Sequence, residues 1–283
     1  MRKWISAVGV GVLGVLASAV AMTAVPFVHA QQTQEYRYVA LGDSVAAGAG
    51  LPLASTSQTD ALCQRSDEAY PQRIAAHYNI VAENIACTGA KVNDGIYGAQ
   101  ERNDIELAPQ LDAAFQAGTP NLITMTAGAN DLRWTSFIKA CALYDCDNAV
   151  YRGAARVLLA DLTYELNRTL LEIEQRSDGD APVVATGGYY TPLLDGSCTE
   201  ALGINAAERD WINSVGEQVN ERIEQAASRY DFATFVSVDF SGHGICSQDS
   251  WLQNVNDPMP YHPTATGQRA IADAFLEAFA QRY

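Results

Sequence analysis

The stretch Tyr36-Arg37-Tyr38-Val39-Ala40-Leu41-Gly42-Asp43-Ser44-Val45-Ala46-Ala47-Gly48 changes character at its middle. The apolar run predicts a strand over Tyr38–Leu41, and Gly42-Asp43-Ser44 ends it in a sharp turn that feeds small, helix-compatible residues. A serine hydroxyl displayed at a strand-to-helix turn is a nucleophile once a base reaches it. Outward from this point, short apolar runs predict four more strands, at Ile80–Ala86, Leu122–Ala127, Val183–Thr186 and Phe235–Val238. Between and after them, amphipathic stretches predict helices at Tyr70–Tyr78, Ile105–Ala117, Val150–Gln175, Ala206–Arg229 and Thr264–Gln281. Leu158, Leu162, Leu166, Leu170 and Ile173 recur at helical spacing and read as a core stripe. Strands alternating with helices imply a parallel sheet covered on both faces, with ligands bound beyond the carboxyl ends of its strands.

The candidate chemistry falls at those ends. Ser44 follows the first predicted strand, and Gly89 follows the second, in Ala86-Cys87-Thr88-Gly89-Ala90. A glycine there lets the backbone approach a ligand and aim its N–H at it. Gly128-Ala129-Asn130-Asp131 follows the third strand, where an asparagine amide can donate to a developing oxyanion. Beyond residue 30 the chain has three histidines, His77, His243 and His262. His77 sits within a helical pattern and reads as structural. His243 lies in the glycine-rich loop Ser241-Gly242-His243-Gly244-Ile245-Cys246 and is the rival base. His262, in Pro260-Tyr261-His262-Pro263 just before the last helix, is the preferred one.

The amino terminus is Met1-Arg2-Lys3, followed by an uncharged apolar run to Met22 and small residues near Ala30. This pattern reads as a secretory signal peptide over residues 1–30, cleaved after Ala30, with an uncleaved membrane anchor as the alternative. The segment Gly9-Val10-Gly11-Val12-Leu13-Gly14 matches a dinucleotide-binding pattern only formally, because it lies in the leader and no strand precedes it. Residues 31–283 then form one domain. The whole chain carries a net charge of −15, and loss of Arg2 and Lys3 makes the remainder more negative still. Such a charge disfavours nucleic acid and anionic lipid surfaces and suits solubility outside the cell. Six cysteines on an exported chain read as disulfides, with 15 possible pairings. Their spacing lacks the pairs that mark a metal site.

Taken together, the order Ser44, Gly89, Asn130, His262, each at an element boundary, resembles the SGNH (GDSL-type) hydrolases, over nearly the whole chain from Tyr38 to about Ala270. Tyr70-Pro71, Gly187-Gly188-Tyr189-Tyr190-Thr191-Pro192 and His243-Gly244-Ile245-Cys246 are further segments similar to the secreted actinobacterial six-cysteine branch. The resemblance implies an α/β fold, a three-layer α/β/α sandwich on a central, mostly parallel five-stranded sheet. It implies Ser44 as nucleophile, His262 as general base, and an oxyanion hole of the Ser44 and Gly89 N–H groups with the Asn130 side chain. It also implies the disulfides Cys63–Cys87, Cys141–Cys146 and Cys198–Cys246. The family's D-x-x-H would need an acid at position 259, which is Met259 here. Either the backbone carbonyl of Met259 or the carboxylate of Asp257 would then orient the imidazole.

The expected reaction is hydrolysis of a carboxylic ester, from a small molecule or a lipid, through an acyl-enzyme. No cofactor, metal, nucleic acid or obligate protein partner is expected, and the chain is expected to be a secreted monomer. The loops 51–67, 135–147 and 191–204, with Trp134, Phe137, Leu143, Tyr144, Leu193, Leu194 and Leu202 in or beside them, would build the acyl pocket or fill the core beneath it. A polysaccharide O-deacetylase, and a non-catalytic binding module on the same fold, are the alternatives.

Overall fold

A computed structural model describes residues 36–193, 196 and 198–282, so the signal-peptide reading of residues 1–30 lies outside the described residues. In chain order the elements are β1 (Tyr38–Gly42), α1 (Ser44–Ala47), α2 (Gln58–Cys63), α3 (Tyr70–Tyr78), β2 (Ala82–Asn84), β3 (Gln100–Arg102), β4 (Ile105–Leu107), α4 (Gln110–Phe115) and β5 (Leu122–Thr126). There follow α5 (Trp134–Leu143), α6 (Ala149–Arg176), β6 (Val183–Gly187), a 3₁₀ turn (Glu200–Leu202), α7 (Ala206–Ala227), β7 (Ala233–Val236) and α8 (Ala265–Arg282).

Five strands make one parallel sheet in the order β2-β1-β5-β6-β7. The chain leaves β1 towards β2 on one side and returns to β5 on the other. The crevice between the carboxyl ends of β1 and β5 is therefore the topological switch point, where open α/β sheets bind ligands. Every residue of β1 and of β5 is buried, as expected for strands covered on both faces. The two threonines of β5 satisfy their hydroxyls inside the core, Thr124 with Tyr38 and Thr126 with Tyr70, each at 2.9 Å. Tyr70 in turn stacks on Phe275, 4.9 Å between ring centres, which binds α3 to α8. The other main helix pair is α6 with α7, and Leu162, Leu166, Leu170 and Ile173 are the buried stripe of α6. Leu158 packs half-buried at the edge of that core.

One helix differs from the sequence reading. Ile105–Leu107 is not helical but pairs antiparallel with Gln100–Arg102, and only Gln110–Phe115 remains of the expected helix Ile105–Ala117. Asn103 and Asp104 take positive φ values of 50° and 60°, the turn chemistry of a two-residue hairpin. Pro109 then stands immediately before the short helix as its N-cap. Two helices fall where loops were expected. Gln58–Cys63 is capped by the Ser57 side chain, and Trp134–Leu143 follows Arg133 in a left-handed conformation.

Gly42 fixes how the chain leaves β1. Its φ is +142°, and a Cβ there would sit 2.5 Å from the Thr126 carbonyl oxygen and 2.8 Å from Ala46 Cβ. We expect Gly42→Ala to cost at least about 1–3 kcal/mol through backbone strain and steric conflict. Urea denaturation reads this directly, and an unchanged midpoint would contradict the assignment.

Candidate active site

The site starts with the turn after β1. Asp43 is the cap of α1: its side chain accepts the Val45 N–H at 2.9 Å, and its own N–H continues the ladder to Thr126 O at 2.9 Å. This leaves the Ser44 N–H with no acceptor among the described residues. After β2 the chain turns through Gly89, φ +81°, whose N–H likewise has no acceptor among the described residues. The Cys63–Cys87 disulfide and two bonds from Thr88 to the Cys63 carbonyl, 3.1 Å from N and 2.8 Å from Oγ1, hold that turn against α2. After β5, Asn130 donates one amide proton to Ala90 O at 3.0 Å, which ties the third turn to the second.

His262 reaches Ser44 from the loop before α8. Its Nε2 lies 2.8 Å from Ser44 Oγ, and its Nδ1 lies 3.0 Å from the Pro260 carbonyl oxygen. A carbonyl only accepts, so Nδ1 carries the proton and Nε2 presents its lone pair to the serine hydroxyl. Burial holds the imidazole below its ordinary value of 6.5, against the opposing pull of the Pro260 and Met259 carbonyls. The principal orienting carbonyl is therefore one residue beyond the expected Met259, whose oxygen accepts the backbone N–H of His262 at 3.2 Å. Asp257 does not reach the imidazole. Its carboxylate accepts the Asn254 N–H at 2.7 Å and closes its own turn, with Pro258 and Pro260 stiffening the segment between. His243 is also absent from the cleft: it stacks on Trp251, 3.7 Å between ring centres, and its Nδ1 faces Asp249.

The histidine loop is anchored by residues to which the sequence reading assigns no role. Gln253 donates to Ala49 O at 2.9 Å and exchanges backbone bonds with Tyr261 and His262. Gln268 donates to Val45 O and accepts from Tyr70 N, at 2.9 and 2.8 Å. Tyr190 donates to Tyr261 O at 2.8 Å. Beside the serine, Tyr189 donates to Asp43 Oδ2 at 2.5 Å. Tyr189 and Tyr190 fall in the Gly187–Pro192 segment that resembles the family, but nothing there states what their hydroxyls bind, and no motif marks Gln253 or Gln268. Each is an ordinary glutamine or tyrosine in sequence, and its partner lies tens to hundreds of residues away.

Ser44, Gly89, Asn130 and His262 all line one cleft of about 190 Å³. Its apolar walls are Val45, Trp134, Tyr190, Pro192, Val219, Met259 and the bare backbone of Gly216. Of the residues expected to build an acyl pocket, Trp134 does line the cleft. Phe137 and Leu193 are buried in the core, Leu202 lies half-buried outside the cleft, and Leu143 and Tyr144 stand 71% and 69% exposed. Leu194 lies outside the described residues. The remaining cysteines pair as Cys141–Cys146, at the end of α5, and Cys198–Cys246, across the loops after β6 and β7. Cys246 follows His243 in the same loop.

Residues 40–270 match the GDSL-like Lipase/Acylhydrolase family. A lipase of Streptomyces rimosus is 33% identical over 247 residues, 85% of this chain and 85% of that protein. The crystal structure of an extracellular lipase from Streptomyces rimosus superposes with a TM-score of 0.69 at 28% identity, over 86% of this chain and 99% of that one. A phospholipase A1 from Streptomyces albidoflavus superposes with a TM-score of 0.64 at 26% identity, over 88% of this chain and all of that one. The chain belongs to the GDSL-like lipase/acylhydrolase family, has the SGNH hydrolase fold and is a carboxylic ester hydrolase.

Two acids near the cleft, the buried Asp43 and the half-buried Asp131, carry an electrostatic signature. Burial pushes Asp43 up to about 6, with the Tyr189 and Val45 hydrogen bonds opposing it. Burial pushes Asp131 up to about 7, opposed by the Val92 N–H that both its oxygens share. A folded-state value above the ordinary 3.8 means that the folded chain binds more protons than the unfolded chain. These acids therefore lower stability as pH rises from about 4 through 6–7. His262 acts in the opposite sense, costing stability as pH falls below 6.5. We expect Asp131→Asn to lose less melting temperature than the wild type between about pH 5 and pH 8. Equal losses would contradict an ionised, desolvated Asp131.

Proposed function

We propose that Ser44 is the nucleophile and His262 the general base of a Ser–His dyad that hydrolyses acyl esters through a covalent acyl-enzyme. The observation that carries this reading is the fixed imidazole, with Nδ1–H on the Pro260 carbonyl and Nε2 facing Ser44 Oγ at 2.8 Å. His262 accepts the Ser44 proton as Oγ bonds to the ester carbonyl carbon. Negative charge then gathers on the carbonyl oxygen, toward the unpaired N–H groups of Ser44 and Gly89 and the Asn130 amide. His262 returns the proton to the departing alcohol, and a water repeats the sequence to release the acid. A backbone carbonyl compensates imidazolium charge less than a carboxylate does, so the dyad depends more heavily on its oxyanion donors.

Apolar walls favour an aliphatic acyl chain over a sugar-borne acetate, so the substrates are lipid-type esters. Gly216 bears on this point. It lies inside the long, unbroken helix α7, where glycine is intrinsically unfavourable, and a Cβ there would come 3.0 Å from the ring of Trp134. The glycine thus lets Trp134 lie against the helix and leave room in the cleft. We further propose that the chain is exported, with residues 1–30 removed, and acts as a monomer. Three disulfides suit an oxidising compartment, and among the described residues no helix is long and apolar enough to cross a membrane.

An acyl-length series of p-nitrophenyl esters tests this reading. Ser44→Ala is expected to reduce hydrolysis by roughly 10³-fold or more. The acid limb of kcat/KM is expected below pH 6.5, because burial depresses the imidazole. Turnover that survives Ser44→Ala would place the chemistry elsewhere, and an acetyl-only profile would favour a polysaccharide deacetylase. Gly216→Val is expected to push Trp134 into the cleft. Its kcat/KM on long acyl chains should then fall roughly tenfold relative to short ones. A uniform effect across chain lengths would remove the acyl chain from this part of the cleft.

A further inference from the structure

The Tyr189 hydroxyl stands between two of the three turns that carry the oxyanion donors. It donates to Asp43 Oδ2 at 2.5 Å and accepts the Ala129 N–H at 3.2 Å. The other oxygen of Asp43 accepts the Val45 N–H at 2.9 Å. A continuous chain of hydrogen bonds therefore runs from Ala129, beside Asn130, through Tyr189 and Asp43 to Val45, beside Ser44. The backbone of Tyr189 is itself gripped by the Asn220 amide of α7, which accepts from Tyr189 N and donates to Tyr189 O, both at 2.7 Å. This grip resembles a short extra strand pairing, and it brings a helix to bear on a residue at the sheet's carboxyl edge. Asp43 is almost fully buried, so its carboxylate has little access to other donors.

We infer that Tyr189 is a positioning residue that sets the separation and aim of the Ser44 N–H and the Asn130 amide, and so of the oxyanion hole. The inference rests on the acyl-transfer reading of Ser44 and Asn130. Burial and the neighbouring Asp43 charge hold the Tyr189 hydroxyl well above its ordinary value of 10, so it keeps its proton and takes no part in proton transfer. Its effect is exerted through the bonds it makes. Loss of the hydroxyl leaves Asp43 Oδ2 and the Ala129 N–H without their shared partner, and the two turns lose their common reference. Donors aimed at a developing oxyanion act mainly in the transition state, so misplacing them lowers kcat more than it raises KM.

The test is Tyr189→Phe, which keeps the ring and removes the hydroxyl. It is read on the ester that the wild type turns over best and by inhibition with a phenylboronic acid, whose tetrahedral adduct on a serine oxygen occupies an oxyanion hole. The expected result is a kcat lower by roughly 10- to 100-fold with KM within about twofold, and boronate affinity weakened in parallel. Tyr38→Phe is the control. It removes a tyrosine hydroxyl that is bonded to Thr124 inside the core, away from the cleft, and should lower the melting temperature while leaving kcat and boronate affinity unchanged. Unchanged kcat and boronate affinity in Tyr189→Phe would overturn the inference whatever its melting temperature, and so would a rise confined to KM. If Tyr189→Phe does not fold, Asn220→Ser decides by the same readouts, because it loosens the grip on Tyr189 from outside the cleft. Activity that survives Ser44→Ala would overturn the acyl-transfer reading and this inference with it. Activity lost in Ser44→Ala but retained in Tyr189→Phe would overturn the inference alone.

Discussion

The hydrogen bond from His262 Nδ1 to the carbonyl of Pro260 decides what the rest of the site can do. It selects the tautomer whose Nε2 lone pair meets Ser44 Oγ, and it does so without a carboxylate. A side-chain acid can swing away, whereas a carbonyl within a proline-rich turn is held by the backbone itself. Pro258, Pro260 and Pro263 narrow the conformations of that turn, and Tyr261 occupies a left-handed φ of 65° between them. Gln253 and Tyr190 then fix the turn to the body of the domain. The orientation normally set by a third side chain is here distributed over a rigid loop and its anchors.

The sheet supplies the other half of the geometry. Its strand order places the carboxyl ends of β1 and β5 side by side at the switch point, so that Ser44 and Asn130 face one crevice. Gly42 and Gly89, both at positive φ, let the backbone turn outward there. The Cys63–Cys87 disulfide and the Asn130–Ala90 bond then hold the second turn against its neighbours. The polar groups that remain inside are mostly satisfied by partners distant in sequence, as with Gln268, whose bonds join α8 to both α1 and α3. Such bonds cost little when complete and much when half-made, which makes these loops rigid.

Much of the architecture is legible in the sequence. The alternation of apolar strands with amphipathic helices stated the architecture, because burial on both faces writes a continuous apolar run such as Leu122–Thr126. The short signals at Ser44, Gly89, Asn130 and His262 mark positions that the fold brings to one cleft. The carbonyl that orients His262 was not fully legible, since any residue near Met259 has one, and only the turn geometry selects Pro260. Ile105–Leu107, the start of the expected helix Ile105–Ala117, is instead the second strand of a hairpin, set by the positive φ of Asn103 and Asp104, which the apolar pattern does not record. Tyr189 stands in a segment that resembles the family, but the sequence does not say what its hydroxyl binds, and nothing in the sequence marks Gln253 or Gln268. Their significance lies in long-range partners, and a single sequence does not record which partner a buried amide or phenol meets.

The central claim is that one serine, activated by one histidine, carries the ester chemistry. Its most direct test is intact-mass analysis of the protein treated with a fluorophosphonate ester, followed by peptide mapping, in the wild type, His262→Ala and His243→Ala. The account predicts a single covalent adduct on Ser44, formed rapidly by the wild type and by His243→Ala and far more slowly by His262→Ala. An adduct on another residue, or rapid Ser44 labelling that persists without His262 but fails without His243, would contradict it.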